Sequence, residues 1–180
     1  QVIFTGGATI TFSGPITNFD FTAGNLSGCN VVTGVLYWTG GNVTGPLAVT
    51  TNGVLNIGGD VTLSAALTNA GTVNWTNGTI TIDPCSQGGP LVNLAGALWN
   101  IQCDRAIAMG FSCGNPNGYF QNAGTVSKTA GIGTTDFNIP FYNSGLVDAQ
   151  SGTISLNYHG LLGGVFNAAS GAIVQFSGGT

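Results

Sequence analysis

Short runs in which apolar and small polar residues alternate recur along the whole chain. Gly78-Thr79-Ile80-Thr81-Ile82, Gly152-Thr153-Ile154-Ser155-Leu156 and Ala8-Thr9-Ile10-Thr11-Phe12 are the clearest. A period of two puts Ile, Leu and Phe on one face of a strand and Thr or Ser on the other. Strand-like pieces such as Thr72-Val73-Asn74-Trp75 and Leu146-Val147-Asp148-Ala149 lie between them. Gly, Asn and Ser separate the runs, and no stretch carries apolar residues at helical spacing.

Above this alternation sits a longer repeat. Leu67-Thr68-Asn69-Ala70-Gly71-Thr72-Val73 returns as Phe120-Gln121-Asn122-Ala123-Gly124-Thr125-Val126 and as Phe141-Tyr142-Asn143-Ser144-Gly145-Leu146-Val147. Weaker copies surround Gly34, Gly53, Gly96 and Gly171, so the marker glycines recur at intervals of roughly 18 to 28 residues. A β-sandwich would also be all-β, but its strands need not resemble one another. Recurrence of the phrase itself predicts stacked equivalent coils: a parallel β-solenoid of about seven or eight coils, forming one domain over residues 1–180. Equivalent residues then lie about 4.8 Å apart in ladders. Asn69, Asn122 and Asn143 are expected to form one such ladder, because stacked amides satisfy one another. The glycines are expected at bends that need a positive φ.

Composition agrees with that geometry. Only 4% of the 180 residues are charged: Arg105, Lys128 and six aspartates, for a formal net charge of −4. Stacked like charges repel, so a solenoid favours their scarcity. Glycine supplies 31 residues, and 43% of the chain is apolar, which is opposite to the signature of disorder. The apolar runs fall far short of the roughly 20 residues that span a bilayer, and the strands are too short for a transmembrane barrel. Two cations cannot supply the electrostatic footprint for nucleic acid. The chain starts at Gln1 with no signal-peptide pattern, which reads as a processed or excised segment.

Residues 84–118 depart from the repeat and are expected to be loop insertions. They hold Cys85, Cys103 and Cys113 of the four cysteines, the fourth being Cys29. No Cys-x-x-Cys occurs, so no metal site is expected, and an oxidising, secreted setting suits the even count. Cys85 and Cys113 each lie eleven residues before a marker glycine (96 − 85 and 124 − 113), which makes them one candidate disulfide. Cys103–Cys113 is the alternative.

The phrases Asn69 to Trp75, Gly131 to Thr135 and Asn143 to Leu156 resemble the repeat regions of large bacterial extracellular proteins, a likeness of style that covers most of residues 30–180. The resemblance implies a right-handed parallel β-solenoid in a surface-exposed, adhesin-like or fibre-forming protein.

Catalysis on such a scaffold needs clustered carboxylates, or a base beside calcium-binding acids. Asp60, Asp83, Asp104 and Asp148 instead fall in different coils, and Asp104-Arg105 is the one compact charged group, expected as a structural pair or a solvated loop. His159 has no nucleophile arrangement around it. No enzyme activity and no cofactor are therefore expected. Asn25, Asn42, Asn74 and Asn77 open glycosylation sequons. Tyr37, Trp38, Trp75 and Trp99 are either core residues or a sugar-binding strip. The leading expectation is a rigid secreted or cell-surface rod that associates end to end or continues in a longer chain. The alternative is a carbohydrate-binding module on the same scaffold.

Overall fold

The computed structural model describes residues 2–4, 7, 9–12, 14–83, 89–110 and 118–178. Every regular element among them is a strand. The chain opens with β1 (Val2–Phe4), β2 (Thr9–Thr11), β3 (Ile16–Phe21) and β4 (Asn25–Ser27), followed by β5 (Asn30–Trp38) and β6 (Asn42–Val43). The next coil carries β7 (Leu47–Val49), β8 (Val54–Gly58) and β9 (Val61–Leu63). Stacked on it are β10 (Leu67–Asn69), β11 (Thr72–Asn77) and β12 (Ile80–Ile82), then β13 (Leu91–Asn93), β14 (Leu98–Ile101) and β15 (Ala106–Met109). Two more triplets follow: β16 (Phe120–Asn122), β17 (Thr125–Lys128) and β18 (Thr134–Asn138), then β19 (Phe141–Asn143), β20 (Leu146–Ala149) and β21 (Thr153–Leu156). The last coil holds β22 (Val165–Ala168) and β23 (Ile173–Phe176).

Strands pair in parallel with their equivalents one coil away, and the result is an all-β solenoid of about eight turns. A 14-stranded sheet makes two of its walls and a nine-stranded sheet the third. The first two walls are one folded sheet because β5 serves both: Asn30–Val32 pair with β7, and Val35–Trp38 with β8.

Alternation sets what lies inside. In β10, Leu67 and Asn69 are buried while Thr68 faces outward, and the same pattern repeats in β7 and β13. Apolar columns result: Leu47, Leu67, Leu91, Phe120 and Phe141 on the first wall, and Leu26, Val43, Leu63 and Ile82 on the third. Phe120 and Phe141 stack with centroids 5.2 Å apart, close to the spacing of the coils themselves. Each fully buried side chain of this size contributes about 1.5–3 kcal/mol, and one column passes directly into the next coil.

Two expectations need correction. Most marker glycines are not positive-φ residues; only Gly96 (φ 83°) and Gly171 (φ 82°) are. At the others the requirement is room. A Cβ on Gly34 would lie 2.0 Å from the Thr17 carbonyl oxygen, one on Gly71 2.2 Å from that of Thr50, and one on Gly145 2.1 Å from that of Gly124. These bends sit directly on the backbone of the coil below. Nor are residues 84–118 loop insertions throughout: β13, β14 and β15, within 91–109, form a complete coil in register with its neighbours. The segments 84–88 and 111–117, with Cys85 and Cys113, lie outside the described residues.

Candidate functional site: polar columns in the coil and its open end

The bend between the first and second walls carries a buried amide column. Asn69 Nδ2 donates to Asn93 Oδ1 at 2.9 Å, Asn93 Nδ2 to Asn122 Oδ1 at 2.8 Å, and Asn122 Nδ2 to Asn143 Oδ1 at 2.8 Å. The second N–H of each amide goes to a backbone carbonyl: Leu98 for Asn69, Thr125 for Asn93 and Leu146 for Asn122, each at 3.0 Å. Asn143 ends the series by donating to the Gly163 carbonyl at 2.6 Å. At the other end, Asn69 Oδ1 accepts the Gly71 N–H at 3.0 Å. All four residues are buried, and every amide in the column donates in the same direction. Below Asn69 the column continues as Val49 and Val32.

Sequence reading named Asn69, Asn122 and Asn143 but not Asn93. The signal was displaced by one residue. The other three stand two positions before their glycine, whereas Asn93 stands three before Gly96, where the extra residue makes a positive-φ turn. A second amide series lies on the outside of the next wall: Asn100 Nδ2 donates to Asn74 Oδ1 at 3.1 Å, and Asn74 Nδ2 to Asn56 Oδ1 at 3.0 Å.

A charged node occupies the bend between the second and third walls. Lys128 lies in the inward column Trp75, Ile101, Lys128, Ala149 and is 0% exposed. Its Nζ donates to the Cys103 carbonyl at 2.9 Å, to Asp104 Oδ1 at 2.5 Å and to Thr135 Oγ1 at 2.8 Å. Thr135 Oγ1 in turn donates to the Cys103 carbonyl at 2.6 Å. Asp104, 36% exposed, accepts the Gly133 N–H through Oδ2 at 3.0 Å. Three oxygens thus satisfy the three ammonium protons, and one of them brings the countercharge. Burial pushes the Asp104 carboxyl up, but the Lys128 and Gly133 hydrogen bonds and the nearby cations outweigh it, and the group stays below the usual carboxylate range. Burial pushes the Cys103 thiol up to about 11, against a smaller opposing pull from Lys128, so at neutral pH it is an inert thiol.

Lys128 was legible in the repeat. Aligning Asn122-Ala123-Gly124-Thr125-Val126-Ser127-Lys128 with Asn69-Ala70-Gly71-Thr72-Val73-Asn74-Trp75 places Lys128 at the inward position of Trp75. Asp104 pairs with Lys128, not with its neighbour Arg105, whose Nε donates to Asn77 Oδ1 at 3.1 Å.

The remaining expected site residues are scattered. Among the sequon asparagines, Asn25 and Asn42 are half-buried, with Asn42 accepting from Ser64. Asn74 is committed to the outer amide series, and Asn77 is exposed. No disulfide forms among the described residues: Cys29 is exposed and Cys103 buried, both as free thiols. The partners proposed in Cys85–Cys113 and Cys103–Cys113 include residues outside the described set. Trp38, Trp75 and Trp99 are core residues and Tyr37 alone of that group is exposed, so they form no surface strip. The exposed His159 lies beside Tyr158. Asp60 accepts the Thr79 N–H, Asp148 accepts from Gln150, and Asp136 from Asn157. Among the described residues no group of three or more His, Cys, Asp or Glu could hold a metal ion.

The upper end of the solenoid is different in kind. Phe176 continues the inward column Phe137, Leu156, Phe176. Phe137 and Leu156 are buried, yet Phe176 is 52% exposed. Ile173 is likewise exposed, and Val165 stands open on β22. Among the described residues no strand pairs with the outer edge of β22 or β23. The lower end repeats this, with Val2 and Ile3 exposed on β1. No protein-family model, curated protein or solved structure matches the chain.

Proposed function

We propose that the chain is a rod-forming structural element, a β-solenoid that extends by placing another coil on its open upper end. A second copy of the chain supplies that coil in a filament; the next coil of a longer polypeptide does so in a surface stalk. The observation that carries this reading is Phe176. Its column runs through the buried Phe137 and Leu156 to Phe176, which is 52% exposed, and among the described residues no strand pairs beyond β22 or β23. A solenoid end of this kind favours one partner above all, another coil with inward residues in the same columns. On β1, Val2 holds the register position that Phe166 holds on β22. The secreted or cell-surface setting rests on the likeness of the repeat phrases to bacterial extracellular repeat regions.

Sedimentation velocity and electron microscopy of the purified chain over a concentration series test the reading. Filaments with a repeat of about 4.8 Å along their axis are expected, and Phe176→Asp should abolish them while leaving the circular dichroism spectrum of the rod unchanged. A chain that stays monomeric up to its solubility limit would overturn self-assembly.

A further inference from the structure

The outward face of the first wall holds a groove that rod formation does not use. A cavity of about 550 Å³ opens between Tyr119, Gln121, Tyr142, Ser144, Leu161 and Gly163, inside the range of about 300–1,000 Å³ typical of small-molecule sites. The repeat builds it. Gln121 and Tyr142 are register partners at the outward-facing position of β16 and β19, and Tyr119 reaches the same face from two residues earlier. The Tyr119 and Tyr142 rings meet edge to face, with centroids 5.5 Å apart at 87°.

The upper rim is irregular chain held in place. A Cβ on Gly160 would lie 1.7 Å from the Phe141 carbonyl oxygen, so only glycine lets residues 159–163 lie so close upon β19. There the Phe141 N–H donates to His159 O at 3.2 Å and the Asn143 N–H to Leu161 O at 2.8 Å. The buried amide column closes onto the same rim through Asn143 and Gly163. The Leu161 backbone is thereby held on β19, while its side chain, 77% exposed, borders the groove with Tyr142. The backbone of the groove is thus held in place by the coil beneath it, which lowers the cost of binding.

The lining selects by chemistry. It contains no Asp, Lys, Arg or His, so a charged ligand would lose hydration without gaining a countercharge. Two tyrosine rings and Leu161 offer apolar surface, while the tyrosine hydroxyls and the exposed Gln121 amide offer donors and acceptors around it; Ser144 Oγ, which donates to the Asn122 carbonyl, can still accept. The Asn143 side chain is spent in the buried column and adds nothing. A ligand with apolar C–H faces bordered by neutral hydroxyls matches that arrangement. We propose that this groove is a binding site for a neutral oligosaccharide.

Cellohexaose, mannohexaose and chitohexaose serve as probes in calorimetric titration of the whole chain. Saturable binding of at least one is expected, weakened about tenfold or more by Tyr142→Ala and by Gln121→Ala. Both side chains point away from the core, and equal thermal midpoints verify that the variants fold. Tyr142→Phe keeps the ring and should retain most of the affinity, and Tyr37→Ala, on another wall, should retain all of it. Two results overturn the proposal: no saturation by any probe at about 10 mM, or undiminished binding by Tyr142→Ala. Because the groove lies on a side wall, Phe176→Asp should leave binding intact, so failure here is separable from failure of assembly.

Discussion

Lys128 and Asp104 are unequal partners, and the inequality is measurable. Lys128 is sealed inside the coil while Asp104 stands partly in water. Removing the carboxylate strands a buried ammonium, a loss of about 3–5 kcal/mol when a buried pair is broken. Lys128→Met instead fills the column between Ile101 and Ala149 with an apolar side chain of similar length and releases Asp104 to solvent. Denaturant titration should therefore find Asp104→Ala several-fold more costly than Lys128→Met, which we expect to stay within about 1.5 kcal/mol of the parent. The pH dependence has a definite sign. The folded Asp104 carboxyl lies below its ordinary range, so its contribution is complete at neutral pH. It fades as pH falls below about 4 and the carboxyl takes up a proton. Lys128→Met should flatten that part of the acid unfolding curve. In the amide column, Asn93→Ala removes the acceptor of one Asn69 N–H and the donor to Asn122 Oδ1, leaving those two buried groups unpartnered. A loss of about 2–4 kcal/mol is expected by thermal or denaturant unfolding.

Among the strands and bends, the two kinds of glycine should respond differently to one added methyl group. Gly96→Ala meets no atom within 4 Å and strains only its positive φ, at about 1–2 kcal/mol. Gly71→Ala drives a Cβ onto the Thr50 and Gly53 carbonyls at 2.2 and 2.4 Å. We expect about 3 kcal/mol or more in an unfolding titration, because nothing but the coil spacing can yield. This contrast also marks the limit of what could be read in advance. Period-two alternation and the recurring phrase gave strands, coils and the parallel solenoid, since both are local and repeat. The reason for each glycine was hidden, because a clash with the coil below depends on a residue some 20 positions away. Irregular spacing had a second cost. Its three cysteines made 84–118 look foreign, whereas the inward residues Leu91, Trp99, Ile101 and Ile107 were those of an ordinary coil. The Tyr119–Tyr142 groove was equally out of sight, for it needs the exact register of β16 on β19 and the glycine-dependent crossing at Gly160.

At the scale of the molecule, the sparse charge and the continuous columns belong together: both suit about eight coils stacked in parallel. No helix among the described residues is long and apolar enough to cross a membrane. Repetition carries its own hazard, for coils similar enough to stack are similar enough to stack one place out of step. The Lys128 node should count against such a slip. Shifted by one coil in either direction, its ammonium would face the backbone of a bend without Asp104, and the topmost amide of the asparagine column would lose the Gly163 carbonyl. Among the described residues Lys128 is the one charged side chain sealed in the coil, and a slip by one place should cost it its pairing with Asp104.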